Sequence, residues 1–429
     1  MTIKPLSTTF SDSGELQVGG VSASDLVAKH GSPLYVMDAE TLKQNCLDYI
    51  DTFKEHHPDA VVAYASKALL TVGIAKRMAA LGMGFDVCSG GEIYTLLQAG
   101  VDTDTVYFHG NNKSEAELRL AISNHIRIVL DNQEELNRIN AIVAKTGQSA
   151  RLLVRLKPEI EAHTHEYIKT GQIDSKFGVE KDLLIPIIKE IIASEGLAFC
   201  GIHAHIGSQI FDVDPYHDLV QIMVGYMEQI KDETGATVDE LDLGGGFGIQ
   251  YISSDDPPNV REVLSRMITE LKSGCAELDL PVPKIIVEPG RSVAATAGLT
   301  LYTVGTLKSI PGIKEYAFVD GGMADNVRPI MYQADYTFEC ANRTKDVADT
   351  TYTIAGKFCE SGDVLAKAVQ LPKLKVGDLI AVYGTGAYNY TMSSNYNRYC
   401  RPAMVIVENG LSDVLVKRET YEDLVRLDQ

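Results

Sequence analysis

Short apolar runs alternate with longer amphipathic stretches from about residue 60 to residue 290, and no other feature constrains the chain as much. The apolar runs cover residues 61–66, 85–88, 106–109, 126–130, 152–156, 200–205, 240–243 and 284–287. Between them lie helix-like segments at 70–81, 91–98, 114–123, 133–144, 181–193, 215–231 and 259–276. Alternating strand and helix implies parallel strands joined by right-handed crossovers. Eight such units over roughly 230 residues have the size of a (β/α)8 barrel. A doubly wound open sheet is the alternative. It usually needs fewer strands, and no Gly-x-Gly-x-x-Gly turn follows the first run.

The strand ends carry the chemistry. The last strand residue or first loop residue is, in order, Lys67, Asp86, His109, Asp131, Arg155, His205, Gly244 and Glu288. In a barrel the C-terminal strand ends form the active-site face. Lys67 ends the run Val61-Val62-Ala63-Tyr64-Ala65-Ser66-Lys67, which puts an amine at the mouth of a β/α structure. Desolvation disfavours the charged form of such an amine, and the neutral form is a nucleophile able to make a Schiff base. An ordinary strand-end lysine is the plainer reading of Lys67 taken alone.

After Arg291 the texture changes to strand-like stretches at 301–307, 316–319, 351–355, 379–383 and 403–407, punctuated by Gly and Asp. These predict a mainly antiparallel β domain, a sandwich or barrel. Glu15-Leu16-Gln17-Val18 is also strand-like and is expected to pair with it. The predicted organisation is residues 1–35 as a segment joining the β domain, 36–295 as the barrel and 296–429 as the C-terminal β domain.

Net charge is -19, which argues against nucleic acid and anionic membranes as partners. Seven cysteines with no Cys-x-x-Cys pair argue against a disulfide framework or structural zinc. The start, Met1-Thr2-Ile3-Lys4-Pro5, has no apolar targeting core, and no run approaches membrane-spanning length. A cytoplasmic enzyme with reduced thiols is the expectation.

Gly244-Gly245-Gly246-Phe247-Gly248 follows the seventh strand, where glycines let backbone N–H groups turn toward a phosphate. A tight turn without ligand has the same composition. Glu288-Pro289-Gly290-Arg291 ends the eighth strand with a carboxylate able to keep a ring nitrogen protonated and a guanidinium able to clamp an anion. A structural Glu–Arg pair is the alternative. His203 and His205 point to the same side of the sixth strand. No nearby carboxylate or thiol completes a metal set there, so no metal is expected and a ring-stacking imidazole is the functional reading. Cys359-Glu360-Ser361-Gly362-Asp363 and Gly384-Thr385-Gly386-Ala387-Tyr388 read as turns from spacing alone, although a thiol beside two acids could donate a proton.

Eight segments in this order resemble the pyridoxal-phosphate decarboxylases built on an alanine-racemase-like barrel, and within them the diaminopimelate decarboxylases. They are Tyr64-Ala65-Ser66-Lys67-Ala68, Phe85-Asp86-Val87, His205-Ile206-Gly207-Ser208-Gln209, Gly244-Gly245-Gly246, Glu288-Pro289-Gly290-Arg291, Arg328-Pro329-Ile330-Met331-Tyr332, Cys359-Glu360-Ser361-Gly362-Asp363 and Gly386-Ala387-Tyr388. The resemblance covers nearly the whole chain and implies roles. Lys67 would hold pyridoxal 5'-phosphate as the internal aldimine, and His205 would stack on its ring. Ser208, Gly244, Gly245, Gly246, Arg291 and Tyr388 would surround the phosphate, with Asp86, Arg155 and Gly290 also among the cofactor-binding residues. Glu288 would protonate the pyridine nitrogen, and Cys359 of the partner subunit would return a proton after CO2 leaves, so a homodimer with shared sites is implied. Arg291, Tyr388, Arg328, Tyr332 and Glu360 would bind substrate.

Glu288 favours decarboxylation over racemisation, since a protonated ring nitrogen is the stronger electron sink. Arg328 and Glu360 can match the distal carboxylate and ammonium of meso-2,6-diaminopimelate, whereas Gln333 stands where the ornithine branch carries an acid. The expected reaction is therefore diaminopimelate to L-lysine and CO2, the last step of lysine biosynthesis. The alternatives are a decarboxylase of the same fold acting on another basic amino acid or a carboxylated polyamine, and a catalytically silent regulatory relative. Leu69, Ala324, Thr391 and Met404 depart from the usual pattern and bear on substrate range. The segment 158–176, with His163, His165 and Tyr167, is a candidate lid.

Overall fold

The computed structural model describes residues 3–158 and 176–429, so His163, His165, Tyr167 and the body of the candidate lid lie outside the described residues. The chain divides into two compact units. One comprises Met1–Asn45, Ile249–Asp256 and Arg291–Gln429, and the other Cys46–Gly248 and Pro257–Gly290.

The second unit is the expected barrel. Its strands are Val61–Ala65, Gly84–Val87, Val106–Phe108, Arg127–Leu130, Ala150–Arg155, Leu197–His203, Glu240–Asp242 and Lys284–Val287, and they close in sequence order. Every neighbouring pair is parallel, including the closure of the eighth strand on the first at Ile286 and Val61. The strands close because each feeds a helix that returns outside the sheet. The helix starts are encoded locally. Thr71, Ser89, Ser114 and Asn132 each accept a backbone N–H at the first turn of the helices Val72–Ala80, Gly90–Ala99, Glu115–Ser123 and Gln133–Thr146. Each such cap is worth about 1 kcal/mol. It fixes where a strand-end loop stops, and so where the strand-end side chain sits.

Ala63, Tyr107, Val129, Leu153 and Ile286 form one core cluster of the barrel. Strand side chains alternate, so two residues further on the chain again faces inward. That places Ala65, His109, Asp131, Arg155 and Glu288 in the next layer toward the C-terminal face. Cross-strand register extends the layer, since Asp86 pairs with Ala65, His203 with Arg155, and Asp242 with His203. The inward layer above the apolar plug is thus almost wholly ionisable.

The first unit holds a nine-stranded mixed sheet and a small three-stranded one. Leu34–Asp38 lies between Gly298–Ile310 and Ala403–Glu408, antiparallel to the former and parallel to the latter. Lys314–Val319 and Thr350–Ala355 are also parallel, so the predicted antiparallel character holds for most but not all pairs. The strand Leu16–Val18 pairs within the small sheet Thr9–Phe10, Leu16–Val18 and Val21–Ser22 rather than with the larger one. It joins the C-terminal strands through Leu16 N–H to Ala341 O and a shared core with Val36, Leu301, Ala381 and Val405. Among the described residues no helix is long and apolar enough to cross a membrane.

Candidate active site

Within the barrel unit, Lys67 follows the first strand and its side chain is about half exposed, with Nζ 3.6 Å from Asp86 Oδ2. Asp86 is buried, and its carboxyl is raised, by burial first, against the opposing pull of His109 and Lys67. His109 Nε2 lies 3.8 Å from Asp86 Oδ1 and 2.6 Å from Glu288 Oε1. His203 Nε2 lies 3.5 Å from Glu288 Oε2. Burial acts to raise the Glu288 carboxyl, but His109 and His203 more than offset it and hold it well below the ordinary range. Burial pushes His203 down to about 3, so its ring is neutral at pH 7. Glu288 is therefore an ionised carboxylate inside the barrel.

His109, His203 and Glu288 offer ligand atoms within 4.8 Å of one another, a possible metal set. Spacing alone showed no acid near His203, because Glu288 reaches it only when strands six and eight curve into one barrel. The 2.6 Å His109–Glu288 contact is a direct imidazole–carboxylate pair. An ion bridging them would sit about 2.0–2.2 Å from each ligand atom and hold those atoms further apart.

His205 sits just beyond the sixth strand. Its Nδ1 accepts the Gly245 N–H at 3.2 Å, and burial together with the Lys67 charge pushes it down to about 3. Asp242 Oδ1 accepts the Gly244 N–H at 2.9 Å. Two amides of the glycine run are thus engaged within the protein, where composition suggested all three turned toward an anion. Packing also requires these glycines. A Cβ on Gly245 would stand 2.2 Å from Glu288 O, and one on Gly244 2.8 Å from Ala204 O. Ser208 lies in the segment running beside the glycine run, where Ile210 N–H donates to Gly246 O. Gly290 packs on Ala65 and Ala68, where a Cβ would approach within 2.9 Å. The Arg155 charge acts on both Asp86 and His205.

In the other unit, Arg291 Nη1 donates to Tyr251 Oη at 2.7 Å, and its guanidinium lies 4.8 Å from the Tyr388 ring. Arg328 is 9% exposed and opens the short helix Arg328–Tyr332. Its Nε donates to Tyr336 Oη at 2.8 Å, and the rings of Tyr251, Tyr332 and Tyr388 lie 5.5–6.0 Å from its guanidinium carbon. Among the described residues no carboxylate pairs with Arg328. Gln333 follows in a left-handed turn with φ 53°. Cys359 and Glu360 are on an exposed turn, where Cys359 N–H donates to Asn397 Oδ1 at 2.8 Å.

The fold thus gathers Lys67, Asp86, Arg155, His205, Gly244, Gly245, Gly246 and Glu288 in one unit, and Arg291, Arg328, Tyr332 and Tyr388 in the other. Sequence reasoning gave no role to His109, which it placed correctly at a strand end, and missed Asp242, Tyr251 and Tyr336. Asp242 carried a usable signal, since alternation puts it inside the seventh strand; the two tyrosines carried none. The barrel residues fit pyridoxal phosphate. They offer an amine at the mouth, an ionised buried carboxylate to accept a ring N–H, and an imidazole fixed at Nδ1 by the Gly245 N–H.

The family described as pyridoxal-dependent decarboxylase, pyridoxal binding domain, matches residues 43–295. A diaminopimelate decarboxylase of a Synechocystis species is 45% identical, covering 99% of this chain and 92% of the relative. That of Bacillus subtilis is 44% identical, covering 97% and 95%. The solved structure of diaminopimelate decarboxylase from M. jannaschii in co-complex with L-lysine superposes with a TM-score of 0.93 at 33% identity, covering 100% of this chain and 99% of that one.

Proposed function

The chain belongs to the diaminopimelate decarboxylases, pyridoxal-phosphate-dependent carboxy-lyases, and from that premise we propose that it converts meso-2,6-diaminopimelate to L-lysine and CO2 in the cytoplasm, as the last step of lysine biosynthesis. The observation that carries the substrate is Arg328, a buried guanidinium ringed by tyrosines with no acid partner among the described residues. A buried cation of that kind selects a ligand carboxylate, and its planar fork can bind one bidentately. Diaminopimelate has a carboxylate at its distal end. Ornithine and lysine, offered in the same orientation, have only an amine there.

Pyridoxal phosphate, when bound, supplies an electron sink for the pair left on the α-carbon as CO2 departs. Lys67 Nζ would hold the cofactor, with Asp86 as its counter-ion. Glu288 would keep the proton at the ring nitrogen, which its flanking histidines permit by keeping it ionised. His205 would lie against the ring. Ser208, Gly244 to Gly246, Arg291 and Tyr388 would surround the phosphate, with Gly290 and Arg155 also among the cofactor-binding residues. Arg291 and Tyr388 also contact substrate, Arg328 and Tyr332 hold its distal carboxylate, and Glu360 faces its distal ammonium. Cys359 of the partner subunit returns the proton to the α-carbon, which makes the homodimer the working unit.

CO2 release by the purified protein with pyridoxal phosphate, across meso-diaminopimelate, L-ornithine, L-lysine, L-arginine and D-lysine, tests this reading. Release from diaminopimelate alone is expected. Release from another compound with diaminopimelate inert would overturn the role of Arg328 and Glu360.

A further inference from the structure

We propose that Asp242 keeps its proton, donates it as a hydrogen bond to Glu288, and so acts as a positioning residue that joins Glu288 to the glycine turn and His205. The consequence for turnover rests on the reading of Glu288 given above; the location of the proton does not.

The geometry follows from strand register. Asp242 is fully buried and pairs with Ile286 on the neighbouring strand, and Ile286 belongs to the barrel core. Paired residues of parallel strands face the same side, so Asp242 and Glu288, two residues beyond Ile286, both face inward on adjacent strands. Backbone bonds lock the two strand ends together, with Leu243 N–H donating to Ile286 O at 3.0 Å and Glu288 N–H to Gly244 O at 2.8 Å. Asp242 Oδ2 is buried and accepts no hydrogen bond from the described residues, and the Glu288 charge acts on this carboxyl.

Charge then decides where the proton sits. The groups facing this layer are Asp86 from strand two, His109 from strand three, Asp131 beyond strand four, which accepts the Gly178 N–H, Arg155 from strand five, His203 from strand six and Glu288 from strand eight. Lys67 stands at the mouth. Asp86 has Lys67 at 3.6 Å and His109 at 3.8 Å, and Glu288 has His109 at 2.6 Å and His203 at 3.5 Å. Among the described residues Asp242 has no cationic partner, only the Gly244 N–H and Glu288. Two adjacent carboxyls in a dry interior do not both ionise. The imidazoles favour the charge on Glu288, so the proton stays on Asp242. Burial and the Glu288 charge both raise the Asp242 carboxyl well above its ordinary range, in agreement.

The neutral Asp242 has two separate tasks. Its O–H donates to Glu288 and helps hold that carboxylate in one orientation. Its Oδ1 accepts the Gly244 N–H, which fixes a turn with Gly244 at φ 65°. That turn presents the Gly245 N–H to His205 Nδ1, making Nδ1 the acceptor and leaving the proton of the neutral ring on Nε2. One carboxylic acid therefore sets the orientation of one group and the tautomer of another.

The test is infrared spectroscopy of the protein with and without pyridoxal phosphate near pH 7.5, for wild type, Asp242→Asn and Asp242→Ala. A protonated-carboxyl C=O band is expected in wild type in both states, and the wild type minus Asp242→Asn difference should show one such carboxyl lost. Its absence from wild type, or its persistence unchanged in Asp242→Asn, would overturn the proposal whatever Glu288 does with a cofactor. Turnover adds the second readout. Asparagine keeps an uncharged donor and acceptor, so Asp242→Asn should hold kcat within about threefold of wild type. Asp242→Ala should lower kcat on the order of ten- to a hundredfold, the range for losing a hydrogen bond to a charged group. Equal losses in the two variants would show that an ionised aspartate is required and would refute the assignment.

Discussion

Replacing Arg328 by methionine separates recognition of the distal carboxylate from everything else the site does. The guanidinium is 9% exposed, so water screens it little. Its fork can give a carboxylate two charge-assisted hydrogen bonds, each worth about 1.5–3 kcal/mol. Their loss is therefore about 3–6 kcal/mol, or roughly 150- to 20,000-fold in kcat/KM for diaminopimelate. A second cost falls on folding. Nε donates to Tyr336 Oη, and Tyr336 is itself buried, so the variant leaves that hydroxyl unpaired at about 1–3 kcal/mol. A urea midpoint and the bound-cofactor absorbance establish that the variant is folded and loaded before rates are compared. Two product-like inhibitors complete the assay. L-Lysine retains the distal carboxylate and should lose affinity in Arg328→Met. 1,5-Diaminopentane has none and should bind both proteins alike. Arg328→Lys keeps the charge without the fork and should fall between. Diaminopimelate turnover within threefold of wild type in Arg328→Met, or equal weakening of both inhibitors, would refute the argument.

Lys67→Ala and Cys359→Ala should each be nearly inactive, and a verified heterodimer of the two should recover part of the activity through one intact shared site; no recovery would oppose sharing. Gly201→Ala should cost at least about 2 kcal/mol in urea unfolding, since its Cβ would stand 1.7 Å from Glu240 O on the next barrel strand, and a change under about 0.5 kcal/mol would show that the strands can part. Burial raises the Asp325 carboxyl from 3.8 to about 7 despite the Tyr302 hydrogen bond. The folded protein therefore holds that proton more tightly than the unfolded chain, and the stabilisation is whole below about pH 4 and lost as pH rises to about 7. It amounts to roughly 4 kcal/mol. Wild type minus Asp325→Asn, followed by urea midpoint across that range, should show this decline, and a flat difference would contradict it.

The eight barrel strands were readable from the chain because both of their signals are local. Each is a short apolar run, and the first four are followed within a few residues by a helix with a side-chain cap, as Thr71 stands after Lys67. The identity of the strand-end residues followed from the same pattern, because inward-facing positions recur every second residue. Leu16–Val18 joins the unit of the C-terminal strands as expected, but its ladder partners are Thr9–Phe10 and Val21–Ser22, because an alternating run announces a strand and not its neighbour. The parallel pairing of Leu34–Asp38 with Ala403–Glu408 joins segments far apart in the chain, and no local pattern encodes it.

The sequence by itself determined the parallel barrel, the amine at its mouth, the glycine run and the ionisable groups at the strand ends. Periodicity and residue chemistry are properties of neighbours in the chain. Only the tertiary structure decided that Glu288 lies between His109 and His203, that two glycine amides serve Asp242 and His205, and that Arg328 is enclosed by Tyr251, Tyr332, Tyr336 and Tyr388. Those relations set the charge state of the buried groups, and they depend on distances of a few ångströms and on exclusion of water, which exist only after strands far apart in sequence have closed on one another.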